Sequence, residues 1–151
     1  MRRSLLAALL GATLAALAGC DSPLAPSRLA GTYVLAAVGE APPPVVVIDD
    51  ALMTITVLAD TLRLQSNGSG EQVVVQHYRY HDTSTRPADT EILEVPVYYQ
   101  IRGDRIEFTF GCPRGKYCLA ILANTFTGRL TADGLVIDTV PAPRAYRRIG
   151  R

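Results

Sequence analysis

Few side chains in this sequence are equipped for chemistry, and their spacing limits what each could do. The two histidines stand in His77-Tyr78-Arg79-Tyr80-His81. On a strand, residues four apart share a face but lie about 13 Å apart at 3.3 Å per residue, too far to ligate one metal ion. The pattern reads instead as a solvated face of His77, Arg79 and His81 opposite Tyr78 and Tyr80, whose rings offer a ligand an apolar body with a polar tip. A nucleophilic serine or cysteine needs a neighbouring base oriented by a third group. The serines fall in turns and in a proline-containing segment, and none occupies a Gly-x-Ser-x-Gly elbow. Asn67-Gly68-Ser69-Gly70 is glycine-rich but precedes no helix, so it reads as a hairpin turn and not as a phosphate cradle. Asp49, Asp50 and Asp60 could face a cation at the rim of a barrel, and a solvated loop accounts for them equally well. The residues assemble no metal set, cofactor motif or catalytic constellation. The expectation is a protein that is not an enzyme and carries no cofactor or metal.

The cysteines say more. Two of the three enclose Pro113 and Gly115 in Cys112-Pro-Arg-Gly-Lys-Tyr-Cys118, where the chain can turn back on itself, and a local disulfide is expected. The third, Cys20, ends an apolar run over residues 5–17 that follows Arg2 and Arg3, the charged and apolar regions of an export signal. That run falls short of the roughly 20 apolar residues that span a bilayer.

Leu17-Ala18-Gly19-Cys20 resembles the lipobox of bacterial lipoproteins. The resemblance implies cleavage between Gly19 and Cys20 and a diacylglycerol on the Cys20 thiol. The protein would then be exported and lipid-anchored to the inner or outer membrane of a cell envelope. Two or more acyl chains, at about 0.8 kcal/mol per buried methylene, hold a soluble domain firmly. The alternative is an ordinary secretory signal that leaves Cys20 as a spare thiol. Asp21 resembles an inner-membrane retention signal.

The organisation that follows is a signal peptide with its helix over residues 1–19, a lipidated cysteine and extended tether over 20–29, and one domain over 30–151. The whole chain has 15 Lys plus Arg against 14 Asp plus Glu; without Arg2 and Arg3 the count is 13 against 14. Near neutrality implies neither a nucleic-acid partner nor a polybasic membrane patch.

The remaining chain must position these residues, and its period is two. Strand formers and alternation predict strands over 31–38, 45–48, 52–58, 61–65, 72–81, 95–101, 106–110, 119–122, 125–131, 135–139 and 145–149. The three consecutive prolines within 40–44 must form a loop or edge crossing. Glycine-containing turns at 67–70, 103–104 and 132–134 join hairpins. About eight to ten short strands and no helix after the signal predict an all-β, antiparallel up-and-down barrel, with a two-sheet sandwich as the alternative.

Gly31-Thr32-Tyr33 opening the first strand, the meander of hairpins and Tyr146-Arg147-Arg148 in the last strand resemble small lipocalin-like barrels of bacterial lipoproteins. Lipocalins open with glycine, any residue and tryptophan, and an arginine near the last strand packs on that ring. This chain has no tryptophan, and Tyr33 stands in its place. The resemblance implies closure through Tyr33 and either Arg147 or Arg148. Two functions remain open. One is an anchored barrel that binds a small apolar ligand, lined by Tyr78, Tyr80, Tyr99 and Phe108, with the 40–44 loop near its mouth. The other is a structural or interaction protein of the envelope whose barrel is filled by its own side chains. The large residues expected to point inward, Leu62, Leu64, Tyr99, Ile101, Phe108, Phe110 and Phe126, favour packing. Oligomeric state is open.

Overall fold

The computed structural model describes residues 25–82, 87–118 and 124–150. The expected signal segment, Cys20, most of the expected tether and the strand expected over 119–122 lie outside them. One helical turn, α1 (Pro26–Leu29), precedes nine strands: β1 (Gly31–Val38), β2 (Val45–Asp49), β3 (Met53–Leu64), β4 (Ser69–Tyr80), β5 (Asp89–Arg102), β6 (Arg105–Phe110), β7 (Asn124–Leu130), β8 (Gly134–Ile137) and β9 (Arg144–Gly150). All belong to one antiparallel sheet ordered β1-β9-β8-β7-β6-β5-β4-β3-β2. Pairing of β1 with β3, from Gly31 opposite Leu64 to Val34 opposite Thr61, closes eight of these strands into a barrel. The architecture is therefore a small lipocalin-like barrel, and the sandwich is excluded because one sheet wraps onto itself.

The closure is confined to one end. Beyond Val34, β1 parts from β3, and the first half of β3 pairs instead with β2, the ninth strand. The barrel thus has a closed end, where β1 begins and β9 finishes, and an open end, where β2 and long β3, β4 and β5 reach past the shorter strands. The segments 52–58 and 61–65, expected as separate strands, form the single strand β3. A bulge between Val57 and Ala59 in its pairing with β4 reconciles their patterns. Leu58 faces outward there, while Val57 on one side and Asp60, Leu62 and Leu64 on the other stay buried.

Alternation decides what fills the lower half. Leu62, Val97, Ile106, Phe108, Leu135 and Tyr33 are all fully buried, each at a position of inward parity. Such burial contributes about 1.5–3 kcal/mol for a large apolar side chain. The tether expectation needs correction at its end: Pro26–Leu29 is helical, not extended, and Leu29 is wholly buried as a plug beneath the barrel. An apolar residue and a proline suited to the first helical turn make docking more favourable than solvation. The plug is fastened by hydrogen bonds from the Tyr33 hydroxyl to the Leu29 carbonyl at 2.8 Å and from the Tyr99 hydroxyl to the Pro26 carbonyl at 3.4 Å.

β5 is far longer than its neighbour β6, which leaves the upper edge of β5 without a strand partner. Gly111 and the cysteine loop that follows it cover that edge. Gly111 and Arg114 donate backbone hydrogen bonds to Pro96 and Glu94 at 2.8 and 2.9 Å. Arg114 pairs with Glu94 and Glu71, and Lys116 pairs with Glu91. Cys112 and Cys118 are joined, with Cα atoms 5.7 Å apart. Covering an open edge removes a site for unwanted strand addition.

Candidate functional site

The barrel retains a cavity of about 210 Å³ above its packed lower half, toward the open end. Its apolar wall comes from Phe110 on β6, Phe126 on β7, Ile137 on β8 and Val140 in the loop before β9. Its polar wall comes from Gln72 on β4 and from Arg144 and Tyr146 on β9. The rings of Tyr99, Phe108, Phe110 and Phe126 form a continuous series, with successive centroids 6.1, 6.4 and 5.8 Å apart, that runs from the plug to the cavity.

Behind the polar wall lies Asp60, whose side chain has no solvent exposure. Its Oδ2 accepts hydrogen bonds from Arg144 at 2.7 Å, Gln72 at 2.8 Å and the Tyr146 hydroxyl at 2.8 Å. Gln72 also donates to the Tyr146 oxygen at 3.1 Å. Asp60 Oδ1 is buried and has no partner among the described residues. Three donors crowd one carboxylate oxygen while the other has none, so removal from water governs the group. Burial raises the Asp60 carboxyl above its ordinary range, against the pull of Arg144, Tyr146 and Gln72. Burial also raises the Tyr146 hydroxyl, with the Asp60 charge adding to the shift, so it stays a donor at any ordinary pH. Burial opposes the charge on Arg144, but Tyr146 and Asp60 outweigh it and hold the guanidinium protonated. The result is a fixed polar floor under an apolar chamber.

No family model, curated protein or solved structure matches this chain. The functional argument therefore rests on the site itself.

The four residues expected to line a ligand site divide into two pairs. Tyr99 and Phe108 are buried in the self-packed lower half, 4% and 0% exposed, and offer a ligand no surface. Tyr78 and Tyr80 sit where β4 has risen past the closed part of the barrel, and line an open depression of about 730 Å³ with Pro87, Glu91 and Lys116. Burial raises the Tyr78 hydroxyl, helped by the adjacent Glu91, and Gln76 donates a hydrogen bond to it. On the opposite face, Arg79 and His81 are exposed and His77 is half-buried. Thr54 brings Asp49 and His81 together there, at 2.8 and 3.1 Å.

The acidic residues expected at the rim also divide. Asp50 accepts the backbone N–H groups of Met53 and Leu52 at 2.9 and 2.8 Å, which hold its carboxyl below the usual range and shape the β2–β3 turn. Asp60 is an interior residue, not a rim one. Its position was legible from parity, because it shares a face with Leu62 and Leu64; Gln72 shares one with Val74, and Arg144 with Tyr146. A polar residue at apolar parity is the signal for the floor, and reading each polar residue as solvated overlooks it.

At the closed end Arg148, not Arg147, lies over Tyr33, with its guanidinium carbon 5.6 Å from the ring centroid. Arg148 also donates to the Arg28 carbonyl at 3.0 Å and to the Ala30 carbonyl. Glycine is required at position 31 because a Cβ there would come within 2.9 Å of the Arg148 guanidinium and 2.6 Å of the Gly150 carbonyl oxygen. Arg147 points out to solvent.

Proposed function

We propose that the protein is a membrane-anchored, lipocalin-like envelope lipoprotein that binds a small, mainly apolar ligand in the upper half of its barrel and does not catalyse a reaction. The supporting observation is the cavity, in which an apolar wall of Phe110, Phe126, Ile137 and Val140 faces a polar floor held by Asp60. Small-molecule sites commonly combine a mostly apolar lining with a few fixed polar groups that set orientation. At about 210 Å³ the chamber is smaller than the 300–1,000 Å³ typical of drug-sized ligands, and larger than the roughly 150 Å³ that holds a benzene ring. The ligand class is thus a single ring or a short branched chain with one polar end, directed at Arg144, Gln72 and Tyr146.

The self-filled envelope protein is the second reading, and the packing of Leu29, Tyr33, Leu62 and Phe108 in the lower half favours it. Native mass spectrometry of the chain purified from its own membrane separates the two. A small bound mass that is lost in Phe126→Trp, where the added ring fills the chamber, supports binding. Bare protein from the native membrane, together with no shift of the unfolding midpoint by small aromatic alcohols, refutes it. The anchor is tested separately: Cys20→Ala should abolish acylation and release the chain from the detergent phase, and unchanged partitioning refutes anchoring.

A further inference from the structure

The charges on this barrel are segregated along its axis. At the closed end Arg28, Arg105 and Arg147 are exposed and form no ion pair among the described residues, and Arg148 adds a fourth positive charge. The other arginines at this end are partly neutralised, Arg63 by Glu71 and Arg102 by Glu107, and Asp104 and Asp133 are the opposing carboxylates that remain. At the open end Glu40, Asp49, Asp50, Asp82 and Asp89 are exposed, with Arg79 against them, while Lys116 pairs with Glu91 and Arg114 with Glu94 and Glu71. The charges of the described residues therefore sort into one basic end and one acidic end.

The basic end has two further features. Between α1 and the β7–β8 turn lies a depression of about 680 Å³, lined by Arg28, Arg148, Thr131 and Asp133 among others, with room for an anionic headgroup. Finally, α1 enters the barrel here, and Pro26 is six residues from Cys20. Six residues reach about 20 Å at most. A lipid on Cys20 would hold the basic end within about two and a half screening lengths of the bilayer surface at physiological salt.

We infer that the closed end of the barrel, centred on Arg28, Arg105, Arg147 and the depression beside Arg148, is a docking face for the anionic phospholipid surface to which the chain is anchored. The orientation follows: the acidic open end and the cavity mouth point away from the membrane, so ligand reaches the cavity from the aqueous side. Asp133 inside the depression opposes an anion there, and the exposed arginines around it supply the excess positive charge. A polybasic surface attracts anionic lipid only at short range and loses that attraction in salt.

The inference rests on the anchored reading, and the test separates the two. The full-length chain is reconstituted into vesicles of phosphatidylcholine alone, or of phosphatidylcholine with phosphatidylglycerol, and backbone amide exchange is followed. Docking predicts several-fold slower exchange at residues 26–30, 103–105 and 131–134 in the anionic vesicles only. The protection should disappear in high salt and in the Arg28→Glu/Arg105→Glu variant, whose replaced side chains are both exposed and leave the core untouched. Equal exchange in the two vesicle types, or protection confined to open-end residues 40–42 and 81–82, overturns the docking face. Failure of the chain to sediment with neutral vesicles overturns the anchor; sedimentation with anionic vesicles alone then still supports the basic face.

Discussion

Asp60 and Arg144 form a buried charge pair whose two members should respond differently to loss of the other. Asp60→Leu leaves the Arg144 guanidinium, 22% exposed, without its carboxylate. Stranding a buried charge in this way costs about 3–5 kcal/mol, a large fraction of the 5–15 kcal/mol that holds a typical domain folded. Arg144→Met strands a carboxyl instead, and that group can escape by taking a proton. Its pKa is already raised by burial, and removing Arg144 raises it further. A raised folded-state pKa means that the native state holds the extra proton. The stability gained is fully present below the ordinary value of 3.8 and is lost as pH rises through the folded-state value. Arg144→Met should therefore cost least in acid and progressively more toward alkaline pH, whereas the cost of Asp60→Leu should fall as pH rises, because the wild type loses the stability held by protonated Asp60 and the variant has no carboxyl to titrate. The double variant Asp60→Leu/Arg144→Met removes both charges and should fall within about 1–2 kcal/mol of the wild type, because paired apolar replacement of a buried ion pair is commonly near neutral. Urea unfolding followed by far-ultraviolet circular dichroism at several pH values measures all four proteins. A double variant that loses the sum of the two single costs refutes the coupling, and a pH-independent Arg144→Met refutes burial as the force acting on Asp60.

Three other outcomes follow from the same geometry. Arg148→Met should lose about 2–4 kcal/mol, combining a cation over the Tyr33 ring with two hydrogen bonds to backbone carbonyls, while Arg147→Met stays within about 0.5 kcal/mol; equal urea midpoints for the two would refute the closure. Leu29→Ala should cost about 2–5 kcal/mol by emptying the plug position, and a loss below 1 kcal/mol in the same assay would show that α1 only rests on the barrel. Breaking the Cys112–Cys118 bond with a double serine variant should cost about 2 kcal/mol from loop-closure entropy and speed amide exchange along residues 91–96, and intact mass with and without reductant should differ by two hydrogens; free thiols in the unreduced chain contradict it.

Much of the fold was legible because strand periodicity is a local property. The alternation of Ile106, Phe108 and Phe110 against Arg105, Glu107 and Thr109, and the turn glycine at Gly103 with φ of 65°, specify a hairpin from adjacent residues alone. The 112–118 disulfide loop and the pairing of Tyr33 with an arginine of the last strand were equally within reach of sequence. What the periodicity could not supply was the arrangement that depends on closure. Which arginine covers Tyr33 depends on the β1–β9 register, and a shift of one residue exchanges Arg147 for Arg148. The bulge at Leu58 resets parity within β3, so two patterns that looked like separate strands became one. Asp60, Gln72 and Tyr146 meet only because β3, β4 and β9 curve around one interior, across 12 to 86 residues of sequence.

The sequence by itself determined an all-β chain of short antiparallel strands, a disulfide loop and a near-neutral charge balance, all set by neighbouring residues and by composition. Only the tertiary structure decided how much of the barrel its own side chains fill, that a charged cluster forms the floor of the remaining cavity, and that the balanced charges sort to opposite ends. Composition sums charge without regard to position. Closing the sheet fixes where each turn lies, and so separates along one axis charges that the sequence leaves interspersed.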